Sequence, residues 1–397
     1  MIDLSIPSFI TLVIAYVYWG YWFFLTTVYL FKRTKNTVYD DDDPPHFVSI
    51  VIPASNEEAV ITDVVQDCLR QTHKDLEVIV VAHNCSDKTV ERALEVGDKR
   101  LKVLIFRTKE WGKGISLNYG LKHCKGDVVF TFDADAKFDS DFVEKMLRWI
   151  DRGYDAVQAK IIGKNQDYNL LTYLAHMESL LFSSIFCGAK SKLNMNAIIG
   201  GTGAAFKIKA LELVGYFRNV LSEDLDIYLR LTRANYRIAY AEDCIVNDEK
   251  PSTLKAFFRQ RGRWLAGHIT VMMKQSLKED LRMLRKDPLN FIYLFTPVVL
   301  ACYWLHIILS IVVLLLNAMS INAFFIYGPV SIWILSIIIM ALLYIMVLRR
   351  QKPFYSKKML KLFPLFLFYN LYGYISFWKA FTISKSWEHT KTEHGFS

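Results

Sequence analysis

Residues from about Ile6 to Phe31 run without a charged side chain, and this single feature limits what the chain can fold into more than any motif does. A helix needs roughly 20 apolar residues to cross a bilayer core, and this stretch is long enough and unusually aromatic, with Tyr16, Tyr18, Trp19, Tyr21 and Trp22. The start "MIDLS" carries Asp3 and no base, the apolar run is too long for a cleaved leader, and "FKRTK" follows it. A retained anchor is therefore expected rather than a signal peptide. Lys32, Arg33 and Lys35 belong on the inside, so the N-terminus is expected outside and the next segment in the cytoplasm.

The chain turns apolar again after about Leu289, in blocks near 289 to 317, 321 to 348 and 359 to 384. The basic loop "RRQKPFYSKK" between the second and third belongs on the cytoplasmic side, which makes the first two an out-and-back pair. Pro364, Asn370, Gly373 and Lys379 interrupt the third block, so it either crosses fully or lies partly in the interface. His306 in the first block reads as a helix-packing residue rather than a proton relay. The expected layout is an anchor over 1–35, an acidic linker over 36–46, a globular domain over 47–287 and a membrane region of two to three helices over 288–397. Such a chain is an integral, multi-pass protein of the cell membrane with a cytoplasmic globular domain.

An apolar content of 53% fits that layout, and a net charge of +9 suits anionic lipid headgroups or phosphate-bearing substrates. The basic residues flank apolar blocks or candidate phosphate sites, and no nucleic-acid module is recognisable, so no nucleic-acid partner is expected. The six cysteines form no CxxC pair and have no clustered histidines beside them, which leaves them as reduced thiols. "DDDDPP" at Asp40 to Pro45 is a solvated spacer, because consecutive acids in a proline-stopped run do not converge on a metal.

Within the globular part, "FVSIVIPA", "LEVIVVA", "LKVLIF" and "DVVFTF" read as buried strands, and "EEAVITDVVQDCLRQ" and "GISLNYGLKHC" as helices between them. Strand and helix alternate, which predicts an α/β fold with a mostly parallel sheet and helices on both faces. Ligands of such sheets sit beyond the carboxyl ends of the strands. Polar residues collect at those ends: Pro53 to Glu57, His83 to Asp87 and Asp133 to Ala136. Neither GxGxxG nor GxxxxGK[ST] occurs, so a dinucleotide fold and a P-loop are not supported.

Three local patterns carry chemistry. In "FTFDADAKF", residues i and i+2 of an extended segment point the same way, so Asp133 and Asp135 can share one hard divalent cation, which would keep positions open for phosphate oxygens. In "VLSEDLDIYLRL", Ser222 is placed as a helix N-cap with Glu223 and Asp224 in the first turn, where a carboxylate facing a cleft could take a proton from an attacking hydroxyl. "STLKAFFRQRGRWLAGHITVMMKQ" reads as a helix on which Gln260, Arg263 and Trp264 share a face. They offer an amide, a guanidinium for phosphate oxygens and an indole to stack on a sugar. Arg259 and Arg261 are expected to point elsewhere, toward headgroups or solvent.

In this order the motifs resemble the membrane-embedded family 2 inverting glycosyltransferases, the group of cellulose, chitin, hyaluronan and poly-N-acetylglucosamine synthases. The resemblance spans about Phe47 to Gln275. It is carried by Asp133 and Asp135, by "SED" at Ser222 to Asp224, by "QxxRW" at Gln260, Arg263 and Trp264, and by three further stretches. "VIPASNEE" (Pro53, Ala54, Asn56, Glu57) and "GKGISLNYG" (Lys113) are similar to the nucleotide-side motifs, and "GGTGAAFK" (Gly201, Thr202, Gly203) to the stretch bordering the acceptor. It implies a GT-A domain that uses a nucleotide-sugar, usually UDP-linked, with Mg²⁺ or Mn²⁺ on Asp133 and Asp135. Asp224 would be the general base beside Glu223, Arg263 would stabilise the departing diphosphate, and Trp264 would pack on the acceptor sugar.

His83 stands where many relatives have an aspartate near the nucleotide base, while Asp87 is kept; Ser222 replaces Thr and keeps the hydroxyl. "QxxRW" is typical of chain-elongating enzymes, which points to β-linked polysaccharide. So few membrane segments would hardly enclose a polymer path alone, so an export partner, an oligomer or a membrane-lipid acceptor is the alternative. A transporter or receptor is disfavoured, because the apolar blocks lack paired charges and broken-helix repeats.

Overall fold

The four apolar runs read as strands form the parallel half of one eight-stranded sheet in a computed structural model of the chain. The structure describes residues 2–32, 46–274, 284–285, 287–319, 323–324 and 330–369, with residues 376, 378 and 380. The Asp40 to Pro45 spacer lies outside the described residues, as does most of the third apolar block beyond residue 369.

Strands β2 (Val48–Ala54), β3 (Leu76–His83), β4 (Leu101–Phe106) and β5 (Val128–Thr131) pair in parallel in the order β4-β3-β2-β5. Val48, Ile50, Val51 and Ile52 are all fully buried, as expected for strands covered on both faces. Helices α2 (Ile61–Leu69), α3 (Thr89–Leu94) and α4 (Lys113–Leu121) supply the crossovers. The helix expected from Glu57 begins only at Ile61, after a turn that Glu57 starts by accepting from the Val60 and Ile61 amides at 3.1 and 3.0 Å.

The second half of the sheet is mixed. Beyond β5 lie β8 (Ala204–Lys207, antiparallel), β7 (Ala156–Gly163), β9 (Ile238–Asp248, parallel to β7) and the short β6 (Lys137–Phe138). Helices α5 (Phe142–Asp151) and α8 (Ile208–Val214) join these strands. Helix α9 (Glu223–Arg233) precedes β9, and α10 (Leu254–Met273) follows it.

Helix α1 (Ser5–Phe31) and the later helices α11 (Pro288–Leu294), α12 (Thr296–Ala318), α13 (Val330–Arg350) and α14 (Lys357–Tyr369) fall in the apolar blocks. At the far end of α1, the two-residue strand β1 (Ile2–Asp3) pairs with β10 (Ala323–Phe324). Among the described residues, three helical runs are long and apolar enough to cross a membrane: Ser5–Phe31, Thr296–Ala318 and, unexpectedly, Leu170–Lys192. The last comprises α6 (Leu170–Phe182), a π-helical turn (Ser183–Gly188) and α7 (Ala189–Lys192). Its most apolar stretch is 72% buried inside the protein, packed between strand β7 and helices α1, α13 and α14. Its apolar surface therefore joins the sheet to the helical bundle.

Buried polar contacts fix that junction. Tyr29 of α1 donates to Glu242 of β9 at 2.7 Å and accepts from Gln351 at 3.0 Å. Asp287, at the start of α11, takes Lys190 and Tyr228 at 2.7 and 2.6 Å, tying α7 and α9 to the start of α11.

Candidate active site

The carboxyl ends of β2 and β5 open into a cavity of about 590 Å³. Pro53, Glu57, Lys113, Asp133 and Asp135 line one end, Gly201, Thr202, Glu223 and Asp224 the middle, and Gln260, Arg263 and Trp264 a third side. Tyr18 and Trp22 of α1 and Thr296 and Leu300 of α12 close the end nearest the apolar helices. Residues far apart in sequence are thus brought to one space.

The extended geometry expected for Asp133 and Asp135 is not what holds them. β5 ends at Thr131, and Asp133 to Ala136 form a turn closed by the Ala136 amide on the Asp133 carbonyl at 3.1 Å. The two carboxylates line the same cavity but take different partners. Asp133 accepts from the Lys113 ammonium and its amide donates to Thr202 Oγ1 at 3.0 Å. Asp135 turns inward to accept from the Glu249 amide at 3.2 Å. Burial, and then the nearby Asp133 and Asp248 carboxylates, push Asp135 up to about 7.

Among the described residues no three His, Cys, Asp or Glu side chains are arranged to hold a metal by themselves. Two carboxylates lining the cavity nevertheless fit a Mg²⁺-like ion, which usually takes one or two protein carboxylates and completes its shell with phosphate and water. Burial is the larger cause of the raised Asp135, and the Asp133 and Asp248 carboxylates that add to it are charges a cation would neutralise.

Lys113 is buried at the start of α4, where its ammonium also reaches the Gly201 carbonyl at 2.7 Å and Glu223 at 3.9 Å. Burial alone would lower it, but Asp133 and Glu223 hold it above its usual value. Ser222 occupies the N-cap position of α9, yet its hydroxyl makes no capping bond. The reason lies in α10: a Cβ on Gly267 would stand 2.1 Å from Ser222 Oγ, so the two helices meet through that hydroxyl. Burial, and then adjacent Asp224, raise Glu223 to about 7, and burial raises Asp224 as well. Gly201, at φ +84°, passes so close that a Cβ there would lie 3.3 Å from Asp224 Oδ2.

Helix α10 is capped by Thr253, which accepts from the Ala256 amide at 3.3 Å. Gln260 Oε1 and Arg263 Nε are buried in the cavity wall with no hydrogen-bond partner among the described residues, the state of groups shaped for a ligand. Trp264 is 43% exposed. Arg261 overturns the expectation of a headgroup or solvent contact: it is 5% exposed, lines the same cavity and pairs with Glu178 of α6. A helix packed on several sides has no outward face at that position.

The remaining nucleotide-side residues lie outside the cavity lining. Asn56 Oδ1 accepts from the Ser86 amide at 2.8 Å, and Asp87 accepts from the Glu58 and Thr89 amides at 3.1 Å each, so the loops after β2 and β3 lock together just past Ala54. His83 is buried, its ring nitrogens near Ser116 Oγ and the Glu110 carbonyl at 2.7 and 3.0 Å. Burial lowers its pKa. Gly203 immediately precedes β8 between β5 and β7, its amide on the Thr131 carbonyl at 2.9 Å and its carbonyl accepting from the Ala159 amide at 3.0 Å. Sequence reasoning missed Gln158, buried in β7, which accepts from the Gly200 amide at 2.9 Å and donates to the Thr202 carbonyl at 3.0 Å. The signal available was a lone amide inside the apolar strand "AVQAKIIG".

Known proteins carry the same features. The model of the glycosyl transferase family 2 matches residues 49–215. A probable glycosyltransferase of Bacillus subtilis is 33% identical over 236 residues, 57% of this chain and 56% of that protein. The chain thus spans little more than half the length of that relative. A poly-β-1,6-N-acetyl-D-glucosamine synthase of Staphylococcus aureus is 23% identical over 300 residues, 74% of this chain and 71% of the synthase. In fold, the chain is similar to a mannosyltransferase from Pyrobaculum calidifontis solved with GDP-Man and Mn²⁺, with a TM-score of 0.63, 20% identity, and coverage of 95% of this chain and 98% of that one. With its ordered motifs gathered in one cavity at the ends of a GT-A sheet, the chain carries a glycosyl transferase family 2 domain over residues 49–215.

Proposed function

We propose that this chain is a membrane-bound inverting glycosyltransferase that moves a sugar from a UDP-linked donor to a glycan acceptor, forming β-linkages in polysaccharide synthesis. The observation that carries the reading is the shared cavity, which Lys113, Asp133, Asp224, Arg263 and Trp264 all line. The similarity to a polysaccharide synthase supports the product class. Residues 47–287 form the cytoplasmic catalytic domain and residues 288–397 the C-terminal membrane region, with α1 as the anchor in the cell membrane.

The reaction is a single displacement. Asp224 takes the proton of the acceptor hydroxyl, the oxygen bonds to the anomeric carbon from the face opposite the diphosphate, and the carbon–oxygen bond to the diphosphate breaks with its electron pair. An α-linked donor thereby gives a β-linkage. Arg263 and Lys113 stabilise the charge that collects on the diphosphate. Asp133 and Asp135 would hold a Mg²⁺ or Mn²⁺ ion, which supplies further neutralisation of the leaving group. Pro53 and Glu57 border the donor, with Asn56 and Asp87 bracing the loops beside them, and Gly201, Thr202 and Gln260 border the acceptor.

A panel of UDP- and GDP-sugars on the purified protein tests this. Release of nucleoside diphosphate is expected with one UDP-sugar and Mg²⁺ or Mn²⁺, and is expected to stop on adding EDTA; no release from any donor would sink the reading. The raised Asp224 predicts the pH profile. The base works only when ionised, so activity is lost as pH falls through its pKa, and that limb should lie nearer neutrality than an ordinary aspartate's value of about 4. The pH dependence of kcat/KM for the donor checks it, and an acid limb near pH 4 would count against Asp224.

A second reading, transfer of one or a few sugars to a membrane lipid, is favoured by one observation. Two of the helices long and apolar enough to cross a membrane line the cavity through Tyr18, Trp22, Thr296 and Leu300. Labelled product that extracts into organic solvent would support it; long polymer would support the first.

A further inference from the structure

Arg261 stands in the cavity wall next to the transfer machinery, yet its charge is already spoken for. Its guanidinium carbon lies 4.2 Å from the centroid of the Trp264 ring and 5.1 Å from that of Phe257. One of its nitrogens donates to Glu178 Oε2, and the same oxygen accepts from the Tyr369 hydroxyl at 2.7 Å. Glu178 belongs to α6 and Tyr369 to α14, so the cation stacked on the indole is clamped by two helices other than its own. A desolvated guanidinium over a Trp face is a strong form of this contact, and a planar head can stack while its rim donates to a carboxylate. Trp264 keeps 43% of its surface exposed and lines the cavity.

We propose that Arg261 is a positioning residue for glycosyl transfer: it fixes the Trp264 indole where an acceptor sugar stacks, and Glu178 and Tyr369 in turn fix Arg261. The inference rests on the transferase reading of the same cavity. Arg261 does no chemistry in the displacement. Its effect is on the approach of the acceptor hydroxyl, which must lie in line with the bond being broken. When the indole is loose, the donor still binds at the Lys113 end, and water competes with the misplaced acceptor for the anomeric carbon.

The test uses membranes containing the full chain and the radiolabelled nucleotide-sugar that the donor panel selects. Two quantities are read from each sample: nucleoside diphosphate released, and sugar incorporated into polymer or extractable lipid. In Arg261→Gln the ratio of release to incorporation is expected to rise about tenfold, the scale of a small misplacement of a reacting group. Arg261→Lys should do the same, because an ammonium keeps the charge but cannot stack as a plane, and Glu178→Gln should move the ratio in the same direction. If Arg261→Gln does not reach the membrane, the Lys and Glu178 variants give the reading. A ratio unchanged from the unmodified protein, whether or not both rates fall, overturns the proposal, since a merely structural or a catalytic role would lower both together. Failure of the transferase reading shows itself separately, as no diphosphate release by the unmodified protein.

Discussion

Asp224→Asn is expected to lower sugar transfer by about 10²–10⁴-fold, the range contributed by a positioned general base. The substitution is nearly isosteric and keeps the side-chain oxygen that accepts from the Leu225 amide at 2.8 Å, so α9 should start where it does now. It also removes a charge that burial already disfavours, so the fold has no reason to suffer. What it removes is the proton acceptor beside Gly201, where backbone approaches without a side chain in the way. The measurement is the initial rate of nucleoside diphosphate release with acceptor-bearing membranes, set against the amount of protein inserted. A loss of less than about tenfold would be too small for a general base, and would transfer that role to Glu223 or to water.

Arg263→Ala is expected to cost about 10²–10³-fold in kcat, the scale for removing one preorganised group from developing negative charge. Its Nε has no hydrogen-bond partner among the described residues, and it faces the cavity that Asp224 and Lys113 also line. Arg263→Lys should recover little, because a point charge does not reproduce a fork held in a fixed plane. The same diphosphate-release assay checks both variants. Retained kcat with a raised donor KM would mean that Arg263 binds ground state and transition state alike. The contrast with Arg261 lies in the readout: Arg263 should lower release and incorporation together, and Arg261 should separate them.

Much of the parallel half-sheet was legible, because a strand buried on both faces must be almost wholly apolar, as "VSIVIPA" and "LEVIVVA" are. The mixed half was not. β8 has four residues and β6 two, too short to show a period, and β7 carries Gln158 and Lys160 in its middle. The run Leu170–Lys192 was not read from the sequence, since a helix that joins a sheet to other apolar helices is as apolar as one that crosses a bilayer. Its 72% burial within the protein decides its place.

Arg261 was partly legible. It stands four residues after Phe257 and four before Leu265, and all three are buried, so it lies on the apolar stripe of α10. Its charge argued the other way. A buried cation needs a partner from elsewhere, and nothing in "RQRGRW" announces Glu178 or Tyr369.

By itself the sequence determined that both ends of the chain carry apolar segments of membrane-spanning length, that the first four strands form a parallel set, and which motifs border their ends, because these follow from composition and period along the chain. Only the tertiary structure decided that Asp133 and Asp135 sit on a turn rather than an extended segment, that Asn56, His83 and Asp87 brace loops beside the cavity, and that Arg261 faces inward. Periodicity fixes directions within one element. Which direction is solvent depends on what other elements pack there.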